Sequence, residues 1–361
     1  MKTTSITSSH ICSTQRRTGT ISRTHQHGLT LIEVMISVTI SLILLAGVMQ
    51  IFTSSRQTYT VQDSMGRLQE NGRFALSFLT RDVRNGDYWG CLPNATSIVN
   101  NVTGGGGFGA VVTGIAGTDG PLDTITVAMA TPLNISVVAP FRADSAATLS
   151  VTSPNTLTQG RIVILSNCTS GDIFQISNAN PGPGNGNIVA NIGAATVPGN
   201  TFITPVAACG GTNCLSARYG GDAQMLTTQI ITYSIANDPA NENEPTLFQS
   251  VNGGAAVALV EGVENMQILY GEDLDPRPIT VPPTPLNVAN FSANRYVPAG
   301  TAGLIMANVV SVRIGLVLRT KQNNLSTVVQ PFNFNGAVVT PADRRLRRVF
   351  STTIGLRNRG A

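Results

Sequence analysis

Residues 28–52 read Gly-Leu-Thr-Leu-Ile-Glu-Val-Met-Ile-Ser-Val-Thr-Ile-Ser-Leu-Ile-Leu-Leu-Ala-Gly-Val-Met-Gln-Ile-Phe, and this stretch decides how the rest of the chain is organised. Across the 24 residues 29–52 the one ionisable side chain is Glu33. A helix of that length spans about 36 Å at 1.5 Å per residue, enough for a hydrocarbon core of about 30 Å. Lys2, Arg16, Arg17 and Arg23 precede it and no acid does. The positive-inside rule therefore keeps residues 1–28 cytoplasmic and sends the C-terminus outward. A secretory signal peptide has a shorter apolar run that ends at a small-x-small site. Here the run ends in Phe52-Thr53-Ser54-Ser55, a poor site, and the small residue, Gly28, stands before it.

Charge and histidine content narrow the function. The formal charge of +4 comes from the leader: its four basic residues leave nineteen basic against nineteen acidic residues in 29–361. That remainder has no global field to steer it to phosphate, so nucleic acid is not an expected partner. All three histidines (His10, His25, His27) lie in the leader. Without them the exported chain cannot build Ser/His/Asp or Cys/His catalysis, nor a histidine-ligated zinc site. Cys12 is also in the leader, leaving Cys91, Cys168, Cys209 and Cys214, none in a C-x-x-C. In an oxidising compartment four cysteines read as two disulfides, with three pairings open. The short loop around Gly210, Gly211 and Asn213 favours Cys209–Cys214, and by elimination Cys91–Cys168.

The order of basic leader, glycine and apolar helix with a glutamate at its fifth position resembles the class III prepilin signal. The matching residues are Gly28-Leu29-Thr30-Leu31-Ile32-Glu33. The resemblance implies that the prepilin peptidase cuts after Gly28 and that Leu29 becomes a methylated N-terminus. It also implies that Glu33 meets the terminal amine of a neighbouring subunit, a task that would justify a carboxylate in hydrocarbon. The competing reading leaves Glu33 at headgroup depth. Leu29 replaces the usual phenylalanine, and the 28-residue leader is long for the family.

All 19 prolines fall at or after Pro93, so the opening can be one long helix. Beyond Phe52 the apolar positions Val61, Met65, Leu68, Ala75, Leu79 and Val83 recur at helical spacing, with Gly72 on the same stripe. Gln62, Asp63, Arg67, Gln69, Glu70, Arg73 and Arg81 fill the other face, as an amphipathic helix packed on a domain requires. The helix is expected over about 29–85, with Gly47, Gly66 and Gly72 as flexing points and Asn85-Gly86 as its C-cap. Short β-type runs follow at 124–129, 161–165, 172–176, 229–235, 263–270, 309–320 and 347–354, separated by Gly, Pro, Asn and Asp clusters. They read as antiparallel strands with long loops at 100–120, 177–202 and 272–300.

Three C-terminal segments resemble the PilW group of minor pilins: Leu259-Val-Glu-Gly-Val-Glu-Asn-Met-Gln-Ile-Leu-Tyr-Gly271, Val309-Val-Ser-Val-Arg-Ile-Gly-Leu-Val-Leu-Arg319, and Arg344-Arg-Leu-Arg-Arg-Val-Phe-Ser-Thr-Thr-Ile-Gly-Leu-Arg-Asn-Arg359. The fold this implies is α+β: a long N-terminal α-helix, transmembrane half then amphipathic half, packed on an antiparallel β-rich pilin-like domain. Its divisions are a cleaved leader at 1–28, a transmembrane and filament-core helix at 29–52, an amphipathic extension at 53–90 and an exported globular domain at 91–361. The implied function is a minor pilin that helps prime and assemble the type IV pilus, at its tip or in its shaft. The implied partners are other minor pilins, the major pilin, a tip adhesin, the inner-membrane assembly platform and the prepilin peptidase. Its path runs from the inner membrane, with the C-terminus periplasmic, to the pilus. A type II secretion pseudopilin of the GspJ type shares the signal and strand plan. A membrane-anchored hydrolase is the third reading, and the missing histidines weigh against it.

Other chemistry finds little support. Gly104-x-Gly106-x-x-Gly109 matches a dinucleotide fingerprint as a string but lacks the strand before and the helix after. Glu272, Asp273 and Asp275 are followed by Pro276-Arg277-Pro278 in place of a calcium loop's glycine, and read as a solvated acidic turn. Asp82 and Asp87 read as solvated or capping charges. Arg344, Arg345, Arg347, Arg348, Arg357 and Arg359 form a basic C-terminal region without interleaved aromatics beyond Phe350, which favours structural or partner contacts over base stacking. No cofactor is expected.

Overall fold

In the computed structural model, residues 28, 30–92, 97–103, 114–142, 147–178, 186–192, 198–202, 209, 213–275 and 291–359 are described. The long helix, α1, runs from Leu31 to Asn85. It begins in a capping box. The Thr30 hydroxyl oxygen accepts the Glu33 N–H at 3.3 Å, and the Glu33 carboxylate accepts the Thr30 N–H at 3.0 Å and hydroxyl at 3.1 Å. The chain divides into two compact units at Thr58/Tyr59.

In the first unit every described residue is exposed, from Leu31 at 79% to Phe52 at 54%. The segment is long and apolar enough to cross a membrane. Several of its hydroxyls are turned inward on the helix. Ser37 and Thr39 donate to the carbonyls of Glu33 and Met35 at 2.7 Å, and Thr53 to that of Met49 at 3.0 Å. A hydroxyl bonded four residues back leaves no donor stranded in hydrocarbon.

The second unit has sixteen strands among its described residues. In chain order β1 is Ile98–Asn100, β2 Ile115–Thr118, β3 Thr124–Ser136, β4 Thr148–Ser150, β5 Ile162–Ser166, β6 Gly171–Gln175 and β7 Asn187–Val189. Next come β8 (Gln224–Asp238), β9 (Glu244–Val251), β10 (Val257–Glu261), β11 (Val263–Glu272) and β12 (Arg295–Val297). The last four are β13 (Val309–Arg319), β14 (Phe332–Phe334), β15 (Ala337–Val339) and β16 (Arg347–Gly355).

The larger sheet has the order β1-β6-β5-β8-β3-β2, with β9 on β8 and β10 on β9. β8 holds it together: β3 lies on one side, and β5 and then β9 share the other. The smaller sheet is β12-β11-β13-β16. The expectation of antiparallel pairing holds for these strands with one exception. β1 runs parallel to β6, Ile98 opposite Gly171: both segments set out from the disulfide described below, β1 seven residues beyond Cys91 and β6 three beyond Cys168. The β14–β15 hairpin turns through Asn335 and Gly336, both at positive φ, the pair that a tight hairpin turn favours.

The stripe Leu68, Gly72, Ala75, Leu79 and Val83 is buried, and the polar positions opposite it are exposed. It packs on a core to which both sheets contribute: Ile125, Val127 and Tyr233 from the larger, Met266, Ile268, Val312, Ile314 and Leu316 from the smaller. A second core, including Val163, Leu165, Phe174, Ile188, Leu215 and Met225, fills the middle of the chain.

The helix ends where expected, at Asn85-Gly86, the Gly86 N–H bonding back to the Val83 carbonyl at 3.1 Å, and two of its glycines answer a packing demand. A Cβ on Gly72 would overlap the Phe350 ring of β16, so this glycine admits the strand to the helix. A Cβ on Gly86 would stand 3.0 Å from Val127 and 3.1 Å from Ile115, so Gly86 admits β2 and β3. The left-handed residue that ends α1 is Asp87, at φ 63.

Candidate functional site: helix start, disulfides and C-terminal clasp

Gly28 is exposed, and nothing lies within 4 Å of where its Cβ would be. The described residues therefore place no demand for glycine there. Leu29 lies outside the described residues. Glu33 sits at the third helical position, its carboxylate engaged by Thr30. The sequence Thr30-Leu-Ile-Glu33 has the spacing of a capping box, and that signal was available in the sequence beside the family motif.

The four cysteines form two disulfides, Cys91–Cys168 and Cys209–Cys214. The first ties the chain just past α1 to the β5–β6 turn, where Cys168 holds a φ of 69 and Asn167 accepts the N–H groups of Thr169 and Ser170. The second stands before a segment anchored to Asp172 of β6. That fully buried carboxylate accepts the Ser216 N–H at 3.0 Å, the Ser216 hydroxyl at 2.7 Å, the Tyr219 hydroxyl at 2.6 Å and the Asn101 amide at 2.7 Å. Burial pushes the Asp172 carboxyl and the Tyr219 hydroxyl up from their ordinary values. Its partners lie 44 to 71 residues away, and no spacing in the sequence announces them.

Asp82 and Asp87, expected as solvated or capping charges, are both buried. Each has its own long-range partner. The Tyr233 hydroxyl donates to Asp82 at 2.6 Å, and Arg81 pairs with it at 2.8 Å. Arg359 Nε donates to Asp87 at 2.7 Å, and the Trp89 indole donates to the other carboxylate oxygen at 2.7 Å. Arg359 Nη1 also donates to the carbonyls of Met306 and Val309. The last described turn, Arg357–Arg359, is thereby clasped to the end of α1, with Asn358 donating to the Gly86 carbonyl at 3.1 Å.

Two of the three acids expected in a solvated turn are likewise buried, and the third, Asp275, is half-buried. Glu272 is fully buried, pairs with Arg295 at 2.6 Å and accepts the Ile305 N–H at 2.9 Å, while Asp273 is 1% exposed. Two strand neighbours, β12 and β13, cover this end of β11 and take the carboxylate out of water. Pro276, Arg277, Pro278 and the Gly104–Gly109 string lie outside the described residues. Among the described residues no three His, Cys, Asp or Glu side chains come together as a metal site.

The basic C-terminal region separates into two groups. Arg347 pairs with Glu264 and Asp343, both at 2.6 Å, and its side chain is 5% exposed. Arg345 lies near Glu244 and Asp343, and Arg359 is held by Asp87. The hydrogen bonds from Arg347 hold the Asp343 carboxyl below its ordinary value. Arg344, Arg348 and Arg357 stay exposed. Half of what reads as a basic patch is therefore internal wiring, pairing acids of this chain.

The comparisons with known proteins bear on the two ends of the chain. Residues 232–358 match the family described as Type IV Pilus-assembly protein W, and residues 23–49 match the Prokaryotic N-terminal methylation motif. No curated protein matches the chain. A solved type IV-like pilin from Thermus thermophilus aligns over 81% of this chain and 98% of its own at 10% identity. Its TM-score is 0.28, too loose a superposition to bear on the fold. The methylation motif covers the capped start of α1, and the PilW match runs from within β8 to Asn358, so the chain is similar to prepilins at its start and to the PilW family over about the last third of its length.

Proposed function

We propose that this protein is a minor pilin that primes assembly of a type IV pilus and is incorporated at or near its tip. The observation that carries the reading is the first stretch of α1, residues 31–58, exposed throughout and apolar to Phe52, with a single carboxylate, Glu33, in its first turn. A monomer has no use for that much uncovered apolar surface; membrane lipid covers it first and other pilin helices cover it after extraction. Under this reading residues 1–28 are a cytoplasmic leader and Gly28 fits a peptidase subsite that tolerates no Cβ. Leu29 is the methylated terminus, and the second unit lies in the periplasm before assembly. Its partners are other minor pilins, the major pilin, a tip adhesin, the assembly platform and the prepilin peptidase. Its work is mechanical: docking, extraction from the membrane and presentation of the β domain.

Processing and loss of piliation test this together. Intact mass from cells with the prepilin peptidase should show a chain beginning at Leu29 with one added methyl group, and the uncut chain without the enzyme. Deletion of the gene should lower surface pilus number with protein secretion unchanged. A cut after residue 52 would overturn the reading; unchanged piliation with impaired secretion would transfer the protein to a secretion pseudopilus.

A further inference from the structure

We propose that the open edge of β16 takes an added β-strand from another protein chain, and that this strand carries a carboxylate against Arg313. All nine residues of β16, Arg347–Gly355, pair with β13, yet β16 is the last strand of its sheet. In an antiparallel ladder alternate N–H and C=O groups face away from the one partner, so the outer side of β16 presents a row of unpaired backbone groups. Among the described residues no strand pairs there. It is the longest free edge of the smaller sheet, since β12 at the opposite side has three residues.

The side chains along this edge say what kind of strand fits. On the face away from α1, Val349, Ser351 and Thr353 are exposed. The β14–β15 hairpin lies over this face, and β14 reaches β16 but leaves the outer side of that strand uncovered by any described strand. Gly315 makes this close cover possible, because a Cβ there would stand 3.0 Å from the Phe334 ring. Between the hairpin and the edge lies a cavity of about 180 Å³ lined by Gln267, Arg313, Gly315, Phe334, Val349 and Ser351. That is room for one side chain of an added strand. The cavity's cation is Arg313, stacked on the Tyr296 ring at 4.1 Å and hydrogen-bonded to Thr353 at 3.4 Å. It has no acidic partner among the described residues, and neither has Arg348 at the start of β16.

The three paired arginines of this region show the contrast: each meets an acid of its own chain. An edge with a vacant side-chain slot and uncompensated guanidinium groups is complementary to an extended segment bearing Asp or Glu. A second copy of this chain fits poorly, since pairing β16 with itself would gather the arginines of both edges with no acid between them. Edge arginines can also serve to repel strand addition, and the experiment separates the two roles.

The test places the photoreactive residue p-benzoylphenylalanine at Val349, Ser351 or Thr353, one at a time, in the full chain in piliated cells. Adducts are mapped by mass spectrometry. The expected result is one segment of one partner chain, with the adduct moving by two residues for each two-residue step and an Asp or Glu within reach of Arg313. R313E should cut adduct yield at least tenfold and R313K should keep it within threefold, with both disulfides and filament incorporation intact. Absent adducts, adducts without the two-residue step, adducts on β16 of a second copy, or an R313E variant that crosslinks normally would each overturn the proposal. Incorporation into filaments is read in the same cells, so failure here is distinguishable from failure of the pilus assignment.

Discussion

Glu33 carries two jobs that one substitution can separate. As a capping residue it needs an acceptor oxygen, which glutamine retains; as a docking group for a neighbour's amine it needs charge, which glutamine lacks. Glu33→Gln should leave the helix start intact yet reduce this protein in sheared filaments as much as Glu33→Ala does. The alanine variant should also lose about 1 kcal/mol of capping. Filament yield at matched expression, read beside cleavage efficiency, is the measurement. Normal incorporation of the glutamine variant would leave Glu33 as a cap alone.

Arg359 is the other residue with a sharp expectation. Its side chain and that of Asp87 are 4% and 9% exposed, so removing the cation leaves a buried carboxylate with, among the described residues, only the Trp89 indole as side-chain donor. Breaking a buried pair by removing one partner costs about 3–5 kcal/mol. Arg359→Ala should lower the unfolding midpoint in urea accordingly. Arg357→Ala, at an exposed position two residues earlier, should change it by under about 0.5 kcal/mol.

At the scale of elements, the two disulfides should differ in their contribution. Cys91–Cys168 spans 77 residues and Cys209–Cys214 spans 5. In the loop-entropy description the long closure stabilises by about 4 kcal/mol and the short one by about 2. Replacing each pair by serines and comparing urea midpoints should give that order. An equal loss would mean that the short bridge acts through the Asp172 anchor and not through the unfolded chain. The long bridge also accounts for the parallel β1–β6 pairing, which an alternation of short β-type runs does not predict. Strand positions themselves were legible: 263–270, 309–320 and 347–354 lie within one or two residues of β11, β13 and β16. Three-residue strands such as β1, β4, β7 and β12 were not, because three residues hold too little periodicity to count.

At the scale of the molecule, every core residue of the second unit lies at or beyond Leu68. A chain beginning at Tyr59 should therefore fold without detergent, form both disulfides and unfold at the same denaturant concentration as the second unit of the full protein. Two-dimensional peptide mapping and urea titration check this, and an aggregated or unbridged product would refute it.

The sequence by itself determined the features that depend on local physics: the apolar span with its basic flank, the amphipathic stripe, the long strands with alternating residues, and the even cysteine set. Each follows from chain periodicity or from the cost of burying charge, so it can be read one window at a time. Only the tertiary structure decided which charges are wet. Asp82, Asp87, Glu272, Arg347 and Arg359 look in sequence like any surface charge, and all five find partners 23 to 272 residues away. It also decided what Gly72 and Gly86 are for, since the ring and the two side chains that need their missing Cβ come from β16, β2 and β3. A glycine or a carboxylate records that something unusual is required at its position; the neighbour that requires it is brought there by the sheet topology, which no local pattern encodes.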